Sequence, residues 1–176
     1  LAALRETLLA TPGVRGLHEL RARRVAHQGL VDAHIQVDPR ISVSEGHRIA
    51  ETARRQVLRG HSDVLDVLVH IDPEDDVEPD LAAENLPGRE SVLQWMEPIL
   101  GQGQRPVNLV LHYVANRVEL ELFYLELGSA PGCAQDSGVD QRLSELAESV
   151  RAGLRRRAPQ YHWRVRCLYA PKRDVV

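Results

Sequence analysis

Five patterned stretches, in the order helix, strand, strand, helix, strand, occur twice along the chain, and few folds accept that order. Leu1, Leu4, Leu8 and Leu9 have helical spacing, and "TPG" at 11–13 stops the helix. Residues 14–25 read as a strand. "LVDAHIQVD" alternates, sending Val31, Ala33, Ile35 and Val37 one way and Asp32, His34 and Gln36 the other, as a half-buried strand does. "SVSE" at 42–45 is a capping box that opens a helix with Ile49, Ala53 and Val57 at one-turn spacing. Residues 64–72 form the closing strand, with Leu65, Val67, Val69 and Ile71 on one face.

An acidic stretch with three prolines, "DPEDDVEPDLAAENLPGRE", then reads as a linker. Beyond it Val92, Met96 and Ile99 fit a short helix that Pro98 disturbs or ends. "PVNLVLHYV" and "RVELELFYLEL" alternate as two strands around a tight "AN" turn, and "SAPGCAQDSG" is a loop. Leu143, Leu146, Ala147, Val150 and Leu154 make an amphipathic helix, and "YHWRVRCLYA" alternates once more. The halves share almost no residue identity, yet their element order matches. The expected fold class is α+β: an αββαβ sandwich in residues 1–76, a linker at 77–88 and a second αββαβ unit in 89–176.

Bulk properties exclude several classes. A chain of 176 residues, 43% hydrophobic and 27% charged, suits one large or two small folded domains. Its net charge of −3 lacks the basic excess of a nucleic-acid binder. No apolar run approaches the ~18 residues of a bilayer span. "LAALRETLLATPG" is too charged and too short for a signal peptide. Cys133 and Cys167 are too few for a disulfide framework, which points to a reducing, cytosolic setting.

Histidine is unevenly spread. Of eight, six precede residue 71: His18, His27, His34, His47, His61 and His70. Residues i and i+2 of a strand share a face, so His70 and Asp72 leave the sheet together, opposite the apolar set of their strand. His34 likewise points away from Val31, Ala33 and Ile35. If the two apolar faces share one core, all three side chains stand on the sheet's outer face. His18 lies in the first strand, and His47 in the first turn of the helix. Imidazole and carboxylate are the ligands of zinc and similar divalent ions, and one Asp among several His is a workable bridging set. Taken singly, a histidine in a strand is by default only a half-exposed polar residue.

Together, "PGVRGLHELRAR", "VDAHIQVDP", "SEGHRIAE" and "VLVHIDPED" resemble the cytoplasmic C-terminal domain of cation diffusion facilitator transporters, over roughly residues 1–76. The resemblance implies a ferredoxin-like, metallochaperone-like fold that forms a homodimer. Metal at the dimer interface would draw the two cytoplasmic domains together and so tune transport by the membrane domain. The implied ligands are His18, His34, His47, His70 and Asp72, some coordinating across the dimer. Zinc is the expected metal because imidazole dominates the set, with Fe2+, Mn2+, Co2+ and Cd2+ as alternatives. His27 and His61 match no ligand position and are expected at the surface.

The family's membrane domain is absent from this sequence. The chain is therefore expected to be an excised domain that works at the cytosolic face, with the transmembrane domain as its partner and no membrane insertion of its own. The resemblance leaves the second half unexplained. That half is expected to be a degenerate ferredoxin-like copy, buttressing the first unit or widening the dimer interface. "RCLYA" stands there in place of His70 and Asp72, and His112 is a weak echo of His18 that reads as structural. Cys167 should face inward with Trp163 and Val165. "RAGLRRR" with Arg164 and Arg166 makes a basic patch, either a solvated face or a contact for an acidic partner or anionic leaflet. The chain is not expected to be an enzyme. A metal-dependent hydrolase would need a general base, and only Ser44 or Asp66 could stand in. The competing reading is a structural dimerisation or small-molecule-sensing module that ignores metal.

Overall fold

The computed structural model describes residues 1–74, 85–100, 105–125 and 138–170. Most of the expected linker, Cys133 and nearly all of the "SAPGCAQDSG" loop lie outside them. The chain divides into two compact units, Leu1–Asp80 and Leu81–Val176.

The first unit runs α1 (Ala2–Leu9), β1 (Gly16–Val25), β2 (Gln28–Gln36), α2 (Val43–Gly60) and β3 (Val64–Asp72). β1 and β2 form an antiparallel hairpin, and α2 carries the chain back so that β3 pairs parallel to β2. The sheet order is β1-β2-β3. Val31, Ala33, Ile35 and Val37 are buried as their alternation requires, and Leu4, Leu8, Ala53 and Val57 cover them from the helices. The Ser42 hydroxyl accepts the Glu45 backbone N–H at 3.1 Å, which fixes where α2 begins. A side chain at Gly46 would put its Cβ 2.7 Å from Ile71 Cδ1, so glycine there lets the first turn of α2 close onto the end of β3.

Two irregularities break the alternation. In β1 the pairing slips between Leu17 and Glu19, leaving His18 as an extra, bulged residue. In β3 it slips between Val64 and Asp66, leaving Leu65 extra. The second slip corrects the expected core face of β3: Leu65 is 51% exposed, and Val64 takes its place beside Val67. His61, expected as a surface residue, is instead half-buried at the C-terminus of α2, with Nε2 2.9 Å from the Thr7 hydroxyl. His27 is exposed in the β1–β2 turn, as expected.

The second unit repeats the topology with α3 (Arg89–Leu100), β4 (Asn108–Val114), β5 (Arg117–Tyr124), α4 (Val139–Arg157) and β6 (His162–Tyr169). β4 and β5 are antiparallel, and β5 and β6 parallel, with no slip in either register. Both residues of the "AN" turn have positive φ, the mirror-image turn that suits the twist of a two-residue hairpin. α3 runs through Pro98 to Leu100, since a proline near a helix end removes one hydrogen bond without breaking the last turn. At Gly153 an added Cβ would meet Ile99 at 2.7 Å, so glycine is what lets α4 lie close on α3. Trp163 and Cys167 face the core as expected, and the Trp163 indole donates to the Ala158 carbonyl at 3.0 Å. Burial pushes the Cys167 thiol up to about 11, leaving it a small buried hydrophobe.

Candidate metal centre

Asp72 ends β3, and its side chain is 95% withdrawn from solvent in relative terms, with 5% exposure. A carboxylate so placed requires partners, and three imidazoles supply them. His18 Nε2 lies 2.8 Å from Oδ2, and His34 Nδ1 lies 3.1 Å from the same oxygen. His70 Nε2 lies 3.0 Å from the other oxygen, Oδ1. The carboxylate thus sits between two imidazoles on one side and one on the other.

Each contact traces to a local feature of the sheet. His34 and His70 are direct partners across the parallel β2–β3 pair, and their ring centroids are 4.8 Å apart. Asp72 follows His70 on the same face. His18 joins them through the β1 bulge. Leu17 pairs with Ile35 on the core face and Glu19 with His34 on the outer face, so the extra residue between them arrives beside the outer group. Exposure rises across the cluster, from 9% for the His18 side chain to 35% for His34 and 62% for His70. The site therefore has a closed end at His18 and Asp72 and an open end at His70.

The ligand-type atoms of His18, His34 and Asp72 all lie within 4.8 Å of one another. Ligands about 2.1 Å from a tetrahedral ion stand about 3.4 Å apart. The two separations at Oδ2 are a few tenths of an ångström shorter than that, so small side-chain adjustments would admit an ion there. His70 on Oδ1 offers the start of a second position that shares the carboxylate. His47 is not part of this group; it is exposed on α2.

Sequence reasoning missed Glu19. Its Oε2 faces His34 Nε2 at 3.5 Å, and its other oxygen pairs with Arg21. The signal was present: Leu17 and Leu20 are both apolar at odd spacing, which a regular strand cannot bury on one face. Only a bulge between them can, and a bulge turns His18 and Glu19 to the same side.

Among its described residues, the second unit offers no equivalent. Counted from its hairpin, Phe123 stands where His34 does, and it pairs with Leu168 in place of His70. Ala170 follows where Asp72 would be. His112 is no echo of His18; it pairs with Glu119 near the turn, its Nε2 3.6 Å from Glu121 Oε2. The expected basic patch also divides. Arg164 and Arg166 pair with Glu119 and Glu121 at 3.5 and 3.6 Å, while Arg155, Arg156 and Arg157 end α4, where its dipole favours cations. Neither stand-in for a hydrolytic base serves the site. The Ser44 hydroxyl lies 3.0 Å from that of Ser42, and the Arg54 guanidinium with the Val67 backbone N–H holds the Asp66 carboxyl below its usual range.

Comparison with known proteins matches residues 1–74 to the family model described as "Cation efflux protein, cytoplasmic domain". Metal tolerance protein C1 of Arabidopsis thaliana is 45% identical over 73 residues, 42% of this chain and 16% of the relative. The cation-efflux pump FieF of Pectobacterium atrosepticum is 34% identical over 71 residues, 40% of this chain and 23% of the relative. The chain thus spans less than a quarter of the length of these relatives. A solved "MamM-CTD" structure superposes with a TM-score of 0.41 and 30% identity, covering 42% of this chain and 92% of that one.

Proposed function

We propose, on the premise that residues 1–74 belong to the family of cation-efflux cytoplasmic domains, that the first unit is the divalent-metal-sensing part of an efflux transporter. The observation that carries this reading is the buried Asp72 carboxylate, held between His18, His34 and His70. Zinc suits an imidazole-rich, single-carboxylate set best. One ion would take His18, His34 and Asp72, and a second would share Asp72 and take His70. The second position is open toward solvent and short of ligands. His47, exposed on α2, is suited to complete it from another copy of the chain.

Metal bound across two copies would favour the closed dimer, a population shift that an attached transmembrane domain could read. The matched domain is of a cytoplasmic kind, which agrees with such a role, and its family is a transporter domain rather than an enzyme class. The second unit, an αββαβ copy with apolar residues at the ligand positions, is assigned a supporting part in extending the dimer.

Small-angle scattering of the full chain with and without zinc tests the sensing step. The wild type is expected to be a dimer that becomes more compact on zinc addition, and His47→Ala to bind zinc without compacting. A profile unchanged by saturating zinc would count against regulation by closure.

A further inference from the structure

We infer that Glu19 is a positioning residue of the metal centre, holding the His34 ring with Nδ1 turned to the ion; the inference rests on the metal-binding reading above. His34 stands between two carboxylates, with Nδ1 3.1 Å from Asp72 Oδ2 and Nε2 3.5 Å from Glu19 Oε2. When an ion occupies Nδ1, the one proton of the neutral ring is on Nε2 and needs an acceptor. Glu19 is the carboxylate facing that nitrogen, close enough that a small ring movement makes the hydrogen bond.

Three features make the arrangement specific. The β1 bulge at His18 brings Glu19 opposite His34 in the register. Arg21 engages the other oxygen of Glu19, so the carboxylate is held by one oxygen and presents the second to the ring. His34 is the middle member of the three-histidine row, its ring neighbouring both His18 and His70, with centroids 5.9 and 4.8 Å away. Fixing its orientation therefore fixes the edge of the first ion position that His34 forms with Asp72. A carboxylate behind a ligating imidazole sets the tautomer, orients the ring and raises its basicity.

The test is calorimetric zinc titration of the full chain, its Glu19→Ala variant and its Glu19→Gln variant. Glu19→Ala is expected to bind about 10–100-fold more weakly at unchanged stoichiometry, with the melting of the metal-free protein unmoved. Glu19→Gln keeps an oxygen acceptor and is expected to recover most of that affinity. In the zinc-loaded wild type, nitrogen-edited NMR should find a protected His34 Nε2–H that Glu19→Ala loses. Equal zinc affinity in the wild type and Glu19→Ala overturns the inference and leaves the metal centre standing. A wild type that binds no zinc overturns the metal centre itself, and the role of Glu19 with it.

Discussion

Asp72 at the end of β3 and Cys167 in β6 are both buried, and burial makes opposite use of them. Asp72 keeps a buried carboxylate because three imidazoles converge on it. Cys167 meets mainly apolar neighbours and the Tyr124 hydroxyl, and desolvation dominates, raising the thiol from 9.0 to about 11. Tyr124 is raised for the same first reason. Below the ordinary thiol range both folded and unfolded chains keep the proton. As pH rises from about 9 toward about 11, the unfolded chain releases it while the folded chain does not. Stability should therefore fall across that window, then flatten as the folded thiol also ionises. Tyr124 adds a further decline at higher pH. Urea unfolding across this range should give a steeper alkaline loss for the wild type than for Cys167→Ala, and equal slopes would contradict the burial argument. At neutral pH the thiol should resist alkylation in the native protein and react once unfolded.

At the scale of elements, much of the fold was legible because period-two and helical patterns are read directly from burial. Val31 to Val37 on β2, and Val150 with Leu154 on α4, needed nothing else. α2 is also announced by its cap, whose Ser42 hydroxyl satisfies an end N–H that water would otherwise have to reach. Ser42→Ala should cost about 1 kcal/mol of stability by urea denaturation. A change within error would mean that α2 is fixed by packing alone. Bulges were the illegible part. A bulge adds one residue and inverts the alternation after it, so a regular pattern turns Leu65 inward although it is exposed. The bulge in β1 likewise hides Glu19 from a period-two reading, because it puts His18 and Glu19 on the same side. His61 was missed for another reason. Its partner Thr7 is distant in sequence, and no local pattern carries such a contact.

Over the whole molecule, one topology appears twice with different uses. Both units place a hairpin and a parallel crossover strand beneath two helices. The second sheet is regular and pairs its outer carboxylates with arginines. The first sheet bears two slips in register, and one of them delivers a ligand-type side chain to the buried carboxylate. The fold alone therefore does not bring ligand-type side chains together; the bulge and the histidine row do. The most direct test is calorimetric zinc titration of the full chain beside a variant carrying both His70→Ala and Asp72→Ala. The Asp72-centred site predicts saturable binding in the wild type that weakens in acid, because protons compete with the ion for the ligating nitrogens. It predicts that the double variant loses this binding. Binding of equal strength in both proteins would contradict it.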